Sequence, residues 1–406
     1  PAELSVATVA QSVNTEEALL GETQPQYSLP DISVPTFTGM NESRTQHTST
    51  LLADGTILIT GGYDPEGVLL ATAEIYNPTT REFSTTGSMQ AARAWHTATL
   101  LFSGEVLIFG GETSGPKAEL YDPETGTFSP APIFIPGSQG GHRATRLADG
   151  RVLITGGMMA SPVAVALIYD PSQLPVSRFK KVGSMSSRRW EHSATLLSTG
   201  EVLVAGGFDG AADQNTAELF NPITNLFSAV SGTMTDPRRF HTGTLLPDGT
   251  VLLAGGYFDS TLVASSSADI YDRASNSLSP GGNLVRSRSA HTATLMPDGK
   301  VMLAGGGTMI DGSMTLYSHI ELYDWSTGAF SEKGDMTIAR TEHGAVRMPN
   351  GWVLITGGST YGTSSIASTD SAELYVPANL ARLRLTDKLD EARSYHAATL
   401  LVDGRV

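Results

Sequence analysis

Residues 93–128 read RAWHTATLLFSGEVLIFGGETSGPKAELYDPETGTF, and the fold follows from that stretch. His96-Thr97-Ala98-Thr99-Leu100-Leu101 is β-prone and small-sided. Ser103-Gly104 then makes a tight turn of the kind that closes a hairpin. Val106 to Phe109 is an apolar run stopped by Gly110-Gly111. A polar connection leads to Ala118-Glu119-Leu120-Tyr121, and Asp122-Pro123-Glu124-Thr125-Gly126 turns the chain into a last short strand at Thr127-Phe128. Four short strands joined by turns, with no helical periodicity between them, make one antiparallel unit.

The unit recurs. Glycine pairs close apolar runs at Gly61-Gly62, Gly110-Gly111, Gly156-Gly157, Gly206-Gly207, Gly255-Gly256, Gly305-Gly306 and Gly357-Gly358. Ahead of each stands one histidine: His47, His96, His142, His192, His241, His291 and His343. An eighth, His396, opens a repeat that the sequence does not finish. A period of about 50 residues marks a supersecondary unit repeated around an axis, and four-stranded units repeated in that way predict an all-β propeller. Seven units are complete. Pro35-Thr36-Phe37-Thr38-Gly39-Met40 matches the end of a fourth strand, so a blade split between the two ends of the sequence would make eight. Seven and eight blades both stay open at this point. The expected organisation is a linker or extension over residues 1–30 and the propeller over 31–406.

The repeated pattern Arg-x-x-His-(Thr/Ser)-Ala-Thr-Leu-Leu, Asp-Gly, Val-Leu-x-x-Gly-Gly and Ala-Glu-Leu-Tyr-Asp-Pro resembles the kelch repeat. The resemblance implies a ring of six or seven blades. It also raises the kelch-built copper oxidases, whose cofactor needs a cysteine cross-linked to tyrosine. This sequence has no cysteine, so no catalytic residue carries over. A cysteine-independent sugar enzyme of the mutarotase kind stays open as an alternative.

Comparing units within the one sequence exposes two further columns. Arginine stands three residues before the histidine at Arg44, Arg93, Arg189, Arg238, Arg288, Arg340 and Arg393, with Gln139 in the third unit. An acid precedes the third-strand aromatic at Glu74, Glu119, Glu218, Asp269, Glu321 and Glu373, with Leu167 in the third unit. Their joint loss from one repeat predicts an ion pair inside each blade, since a guanidinium and a carboxylate match in shape. An anion-binding ring of arginines is the competing reading. The histidines, each beside its own blade, are expected to satisfy backbone or neighbouring groups rather than to converge on a metal. His319, outside the column, reads as a loop residue.

Function on such a scaffold is expected in its loops. The gap between the second glycine and the acid runs from 8 residues (Gly111 to Glu119) to 15 (Gly306 to Glu321), which marks one face as variable. Aromatic residues gather in the loops of that face. Trp95, Trp190, Phe240 and Tyr395 stand just ahead of the histidines, and Tyr63, Phe208 and Tyr257 follow the glycine pairs. They are candidates for stacking on sugars or anchoring a protein, against the plainer reading that they wedge between blades. Arg143 and Arg146, in place of the usual small or apolar residues, put charge on the third unit's first strand.

With net charge −15 and no run of Lys or Arg, nucleic acid and anionic membrane are poor partners. No stretch is long and apolar enough for a membrane helix. The first residue is Pro1 rather than Met, read as a processed or partial chain. The absence of cysteine does not fix the compartment, but low lysine and the wealth of Ser, Thr and Gly suit a secreted bacterial, cell-surface protein. No motif for a nucleophile, phosphate loop, cofactor or metal rises above the repeat. The sequence therefore leans against an enzyme. It favours a propeller that binds a protein or glycan through one loop face, with a structural surface or filament subunit as a further alternative and self-assembly left open.

Overall fold

The computed structural model describes residues 41–384, apart from 43, 45, 65, 81, 114, 116, 134–139, 259–261, 362–365, 369–370 and 376–381. Residues 1–30, the Pro35–Met40 stretch, Gln139, Arg393, Tyr395 and His396 lie outside the described residues.

Seven four-stranded antiparallel sheets form a propeller ring. The second blade comprises Ala94–Leu100, Val106–Glu112, Ala118–Asp122 and Thr127–Pro130, hydrogen-bonded in that order. The innermost strands of the ring are Thr48–Leu51, Ala94–Leu100, Arg143–Arg146, Ser193–Leu196, Thr242–Leu245, Thr292–Leu295 and Gly344–Arg347. These are mostly Thr, Ser, Ala and Gly, as crowding around an axis requires. The second strands, such as Val202–Ala205 and Val301–Ala304, are buried throughout, because a neighbouring blade covers each of their faces. Each Val or Leu fully buried there contributes about 1.5–3 kcal/mol relative to an exposed one.

Seven apolar clusters fill the seven junctions between neighbouring blades. The one that closes the ring packs Leu51, Ile59 and Tyr76 of the first blade on Val346, Leu354 and Leu374 of the seventh. The ring of described residues therefore has seven blades, which resolves the choice between seven and eight. Three blades exceed four strands. In the fifth, sixth and seventh the connection after the glycine pair folds into an extra hairpin: Tyr257–Phe258 with Val263–Ala264, Gly307–Ile310 with Ser313–Leu316, and Ser359–Tyr361 with Ile366–Ser368. The sequence showed these only as long loops. His319, read as a loop residue, opens the third strand of the sixth blade instead.

Candidate functional site

The repeated polar residues hold the blades together. Arg44–Glu74, Arg93–Glu119, Arg189–Glu218, Arg238–Asp269, Arg288–Glu321 and Arg340–Glu373 are ion pairs of 2.5–3.2 Å within single blades. All six arginines are fully buried, so they form no ring open to an anion. Each pair also makes further hydrogen bonds to the backbone. Arg189 donates to the carbonyls of Gly206 and Thr216, and Glu218 accepts the backbone N–H of Ser186. The pair thereby pins the incoming segment to the third strand.

The histidines join one blade to the next. His96, His142, His192, His241, His291 and His343 each hydrogen-bond through Nε2 to a hydroxyl of the preceding blade, namely Thr48 and Thr60, Thr97, Thr155, Ser193, Thr242 and Thr292. Burial holds His142 and His291 neutral, with pKa values lowered to about 3, and pushes His96, His192 and His241 well below the usual imidazole range. His47 is buried at the head of the first blade. The glycine pair makes room for this joint. Gly206 has φ +66°, and a Cβ there would lie 2.5 Å from the Arg238 carbonyl oxygen and 2.6 Å from Cε1 of His241. The N–H of Gly207 donates to that same carbonyl across the blade junction at 2.8 Å.

One position in this frame varies freely. The residue immediately before the histidine adopts positive φ in every blade: Gln46, Trp95, Gly141, Glu191, Phe240, Ala290 and Glu342, with φ between 50° and 62°. A non-glycine residue in that region costs about 1–3 kcal/mol. A chain of backbone hydrogen bonds offsets the cost. The N–H of Phe240 donates to the Glu191 carbonyl, that of Ala290 to Phe240, and that of Glu342 to Ala290, at 2.9–3.2 Å. These seven residues consequently circle the mouth of the central channel, where six of them line a cavity of about 240 Å³.

Glu191 and Glu342 stand three blades apart in a ring of seven, nearly opposite each other, and both line the cavity. Arg143, on the third blade's inner strand, reaches the Glu191 carboxylate at 2.8 Å. The substitution in the third unit thus places a cation in the channel. Arg146 does not join it. It donates to the Leu100 carbonyl and lies over the Phe102 ring at the far end of the strand. Burial, reinforced by the Glu191 charge and only partly opposed by a hydrogen bond from Ser359, pushes the Glu342 carboxyl up to about 8. Trp95 and Phe240 supply the apolar walls.

The other aromatic candidates sit elsewhere. Trp190 is two residues before His192, so Glu191 takes the mouth position and the indole packs over Gly141. Trp190, Phe208 and Tyr257 surround the guanidinium of Arg239, whose Cζ lies 5.8, 4.7 and 5.1 Å from their ring centres. Asp213 completes that enclosure at 3.1 Å. These rings wedge the fourth and fifth blades together. Tyr63 gives its hydroxyl to Glu112 at 2.5 Å, outside the cavity lining. Sequence reasoning missed Glu191, Glu342 and Arg239. A signal for the first two was present, because theirs is one of the two slots between the arginine and the histidine that change chemistry from blade to blade.

Residues 44–90 match the family model of the Kelch motif. No curated protein matches the chain. Among solved structures, the chain is similar to a fungal alcohol oxidase of the AA5 family in complex with copper, with a TM-score of 0.64 at 18% identity. The match covers 81% of this chain and 73% of the oxidase, and at that identity it speaks for the fold alone. The chain has no cysteine, its described column histidines are buried in blade junctions, and among the described residues no three His, Asp or Glu side chains converge as a metal would require. The chain is a seven-bladed β-propeller that carries the Kelch motif.

Proposed function

We propose that this propeller is a binding module that receives the terminal residue of a glycan in the mouth of its central channel. The observation that carries the reading is the cavity itself. Its walls combine aromatic faces (Trp95, Phe240) with a carboxyl that holds a proton at neutral pH (Glu342) and a paired carboxylate and guanidinium (Glu191, Arg143). A sugar ring presents apolar C–H faces and hydroxyls that both donate and accept, and this lining answers each. The volume of about 240 Å³ lies below the roughly 300–1,000 Å³ of pockets for drug-sized ligands, so one sugar residue fits and an oligosaccharide would extend out over the loops. An extracellular or cell-surface setting belongs to the proposal on composition alone.

Calorimetric titration with monosaccharides, preceded by a glycan array, tests it. Trp95→Ala and Glu191→Gln should each weaken binding at least about ten-fold, while Tyr63→Phe, outside the cavity, should leave it intact. Binding retained in both cavity variants would overturn the proposal. A second reading is a sugar-active enzyme, favoured by one observation: two carboxyls share the mouth and one holds its proton, the arrangement that acid–base chemistry uses. NMR of a sugar incubated with the protein separates the readings, since only the enzyme would convert its ligand.

A further inference from the structure

The two carboxyl groups of the mouth are unequally served. Arg143 bonds Glu191 at 2.8 Å. Glu342 has the Ser359 hydrogen bond as its compensation and the Glu191 charge facing it. The other groups around it bring no positive charge to its carboxyl. His291 is held neutral with its pKa lowered to about 3, and Tyr257, pushed up to about 12 by burial, feels both Glu342 and Glu191 as negative neighbours. Arg239 stands behind Tyr257, bonded to Asp213 and enclosed by aromatic rings. The mouth therefore holds two carboxyls and one accessible cation, with Trp95 and Phe240 beside them. A burial cost of this kind is relieved either by keeping a proton or by receiving a positive charge.

We infer that the ligand of this mouth supplies that charge: the site takes an amino sugar, whose ammonium group seats between Glu342 and Glu191 while its ring lies against Trp95 and Phe240. The inference rests on the glycan reading above and narrows it to a chemical class. An ammonium donates in three directions and is attracted to aromatic faces as well as to carboxylates. A sugar acid is disfavoured, because the one cation at the mouth is engaged and a second anion would face both glutamates. A bare divalent ion is disfavoured too, because Ca²⁺ takes six to eight oxygen ligands and two carboxyls supply too few. Seating the ammonium makes Glu342 give up its proton, so binding near neutral pH releases hydrogen ion. The proton passes from the Glu342 carboxyl to solvent buffer, and no covalent bond of the sugar changes.

The test is calorimetric titration at pH 6.5 with glucosamine, glucose, N-acetylglucosamine and an Nα-acetyl-lysine ester, each in two buffers of different ionisation enthalpy. Glucosamine should bind at least about ten-fold more tightly than glucose or N-acetylglucosamine, a difference of about 1.4 kcal/mol. It alone among the sugars should show net proton release, approaching one per site. Glu342→Gln should remove both the preference and the release. The buffer comparison on the unaltered protein keeps the inference testable if that variant fails to fold. Equal binding of glucose and glucosamine without proton release would overturn the inference and leave the glycan reading standing. Binding of the lysine ester alone would overturn both the amino-sugar assignment and the glycan reading, and so would no binding by any of the four.

Discussion

Nη2 of Arg93 lies 2.6 Å from Oε1 of Glu119, and neither side chain has solvent-exposed surface. The guanidinium also donates to the carbonyl of Gly110, and the carboxylate accepts from the backbone of Gln90 and Ala91. Six of the seven blades carry this arrangement. Removing one partner of a buried pair leaves the other charge uncompensated and costs about 3–5 kcal/mol. Arg93→Met should therefore lower the urea-unfolding free energy by that order. The double variant Arg93→Met, Glu119→Leu should recover only part of the loss, because backbone groups are orphaned as well. Full recovery would show that the pair does not hold the backbone.

The glycine pairs yield a comparison within the protein. Gly206→Ala would drive a methyl into the Arg238 carbonyl and the His241 ring, whereas Gly200, with φ +85°, has open space around its missing Cβ. Gly200→Ala should cost only the backbone strain, about 1 kcal/mol. Gly206→Ala should cost several kcal/mol, because the obstructing atoms belong to the backbone and a buried ring. Equal melting temperatures for the two variants would remove the close-approach explanation.

Acid should unfold the ring through its histidines. Burial lowers their pKa in the folded state, so the unfolded chain binds more protons once the pH drops below the ordinary histidine value near 6.5. Stability is complete above that value and falls with pH towards about 3, where His142 and His291 also titrate in the folded protein. Each such histidine contributes up to about 1.4 kcal/mol per pH unit in this window. Urea midpoints measured from pH 7.5 to 4.5 should stay level at first and then decline steeply below about 6. A midpoint that holds constant down to pH 4.5 would contradict neutral, buried imidazoles.

The two tryptophans ahead of the histidines should behave differently. Trp95 lines the cavity, while Trp190 packs on Gly141 and Arg239. Trp95→Ala should weaken sugar binding at least about ten-fold with little change in melting temperature, since about 1.4 kcal/mol is a modest share for an aromatic anchor. Trp190→Ala should lower the melting temperature and affect binding only through the displaced Glu191. Thermal melts and titrations on the same preparations check both.

The scaffold was legible because its residues recur. Arginine, acid, histidine and glycine pair each answer one local problem of packing a blade on its neighbour, and seven copies of the answer stand in register along the sequence. The third unit, where Leu167 replaces the acid, exposed the arginine–acid relationship by its exception. The mouth was less legible for the opposite reason. Its slot is defined by a backbone conformation, not by a residue type. Glu191 and Glu342 looked like background beside Trp95 and Phe240, and Trp190 drew attention to a position one residue away. Only positive φ at all seven slots shows that these side chains meet around one axis. The three added hairpins were hidden as well, because their strands are short and begin inside loops whose length alone was readable.

A crystal structure of the protein with glucosamine is the most direct test of the central claim, that the axial mouth is where this propeller binds. The account predicts one sugar residue between Trp95, Glu191, Phe240 and Glu342, with its amino group within hydrogen-bonding distance of both carboxylates. A sugar ordered only on the outer hairpins or on the opposite face, with the mouth holding water alone, would contradict it.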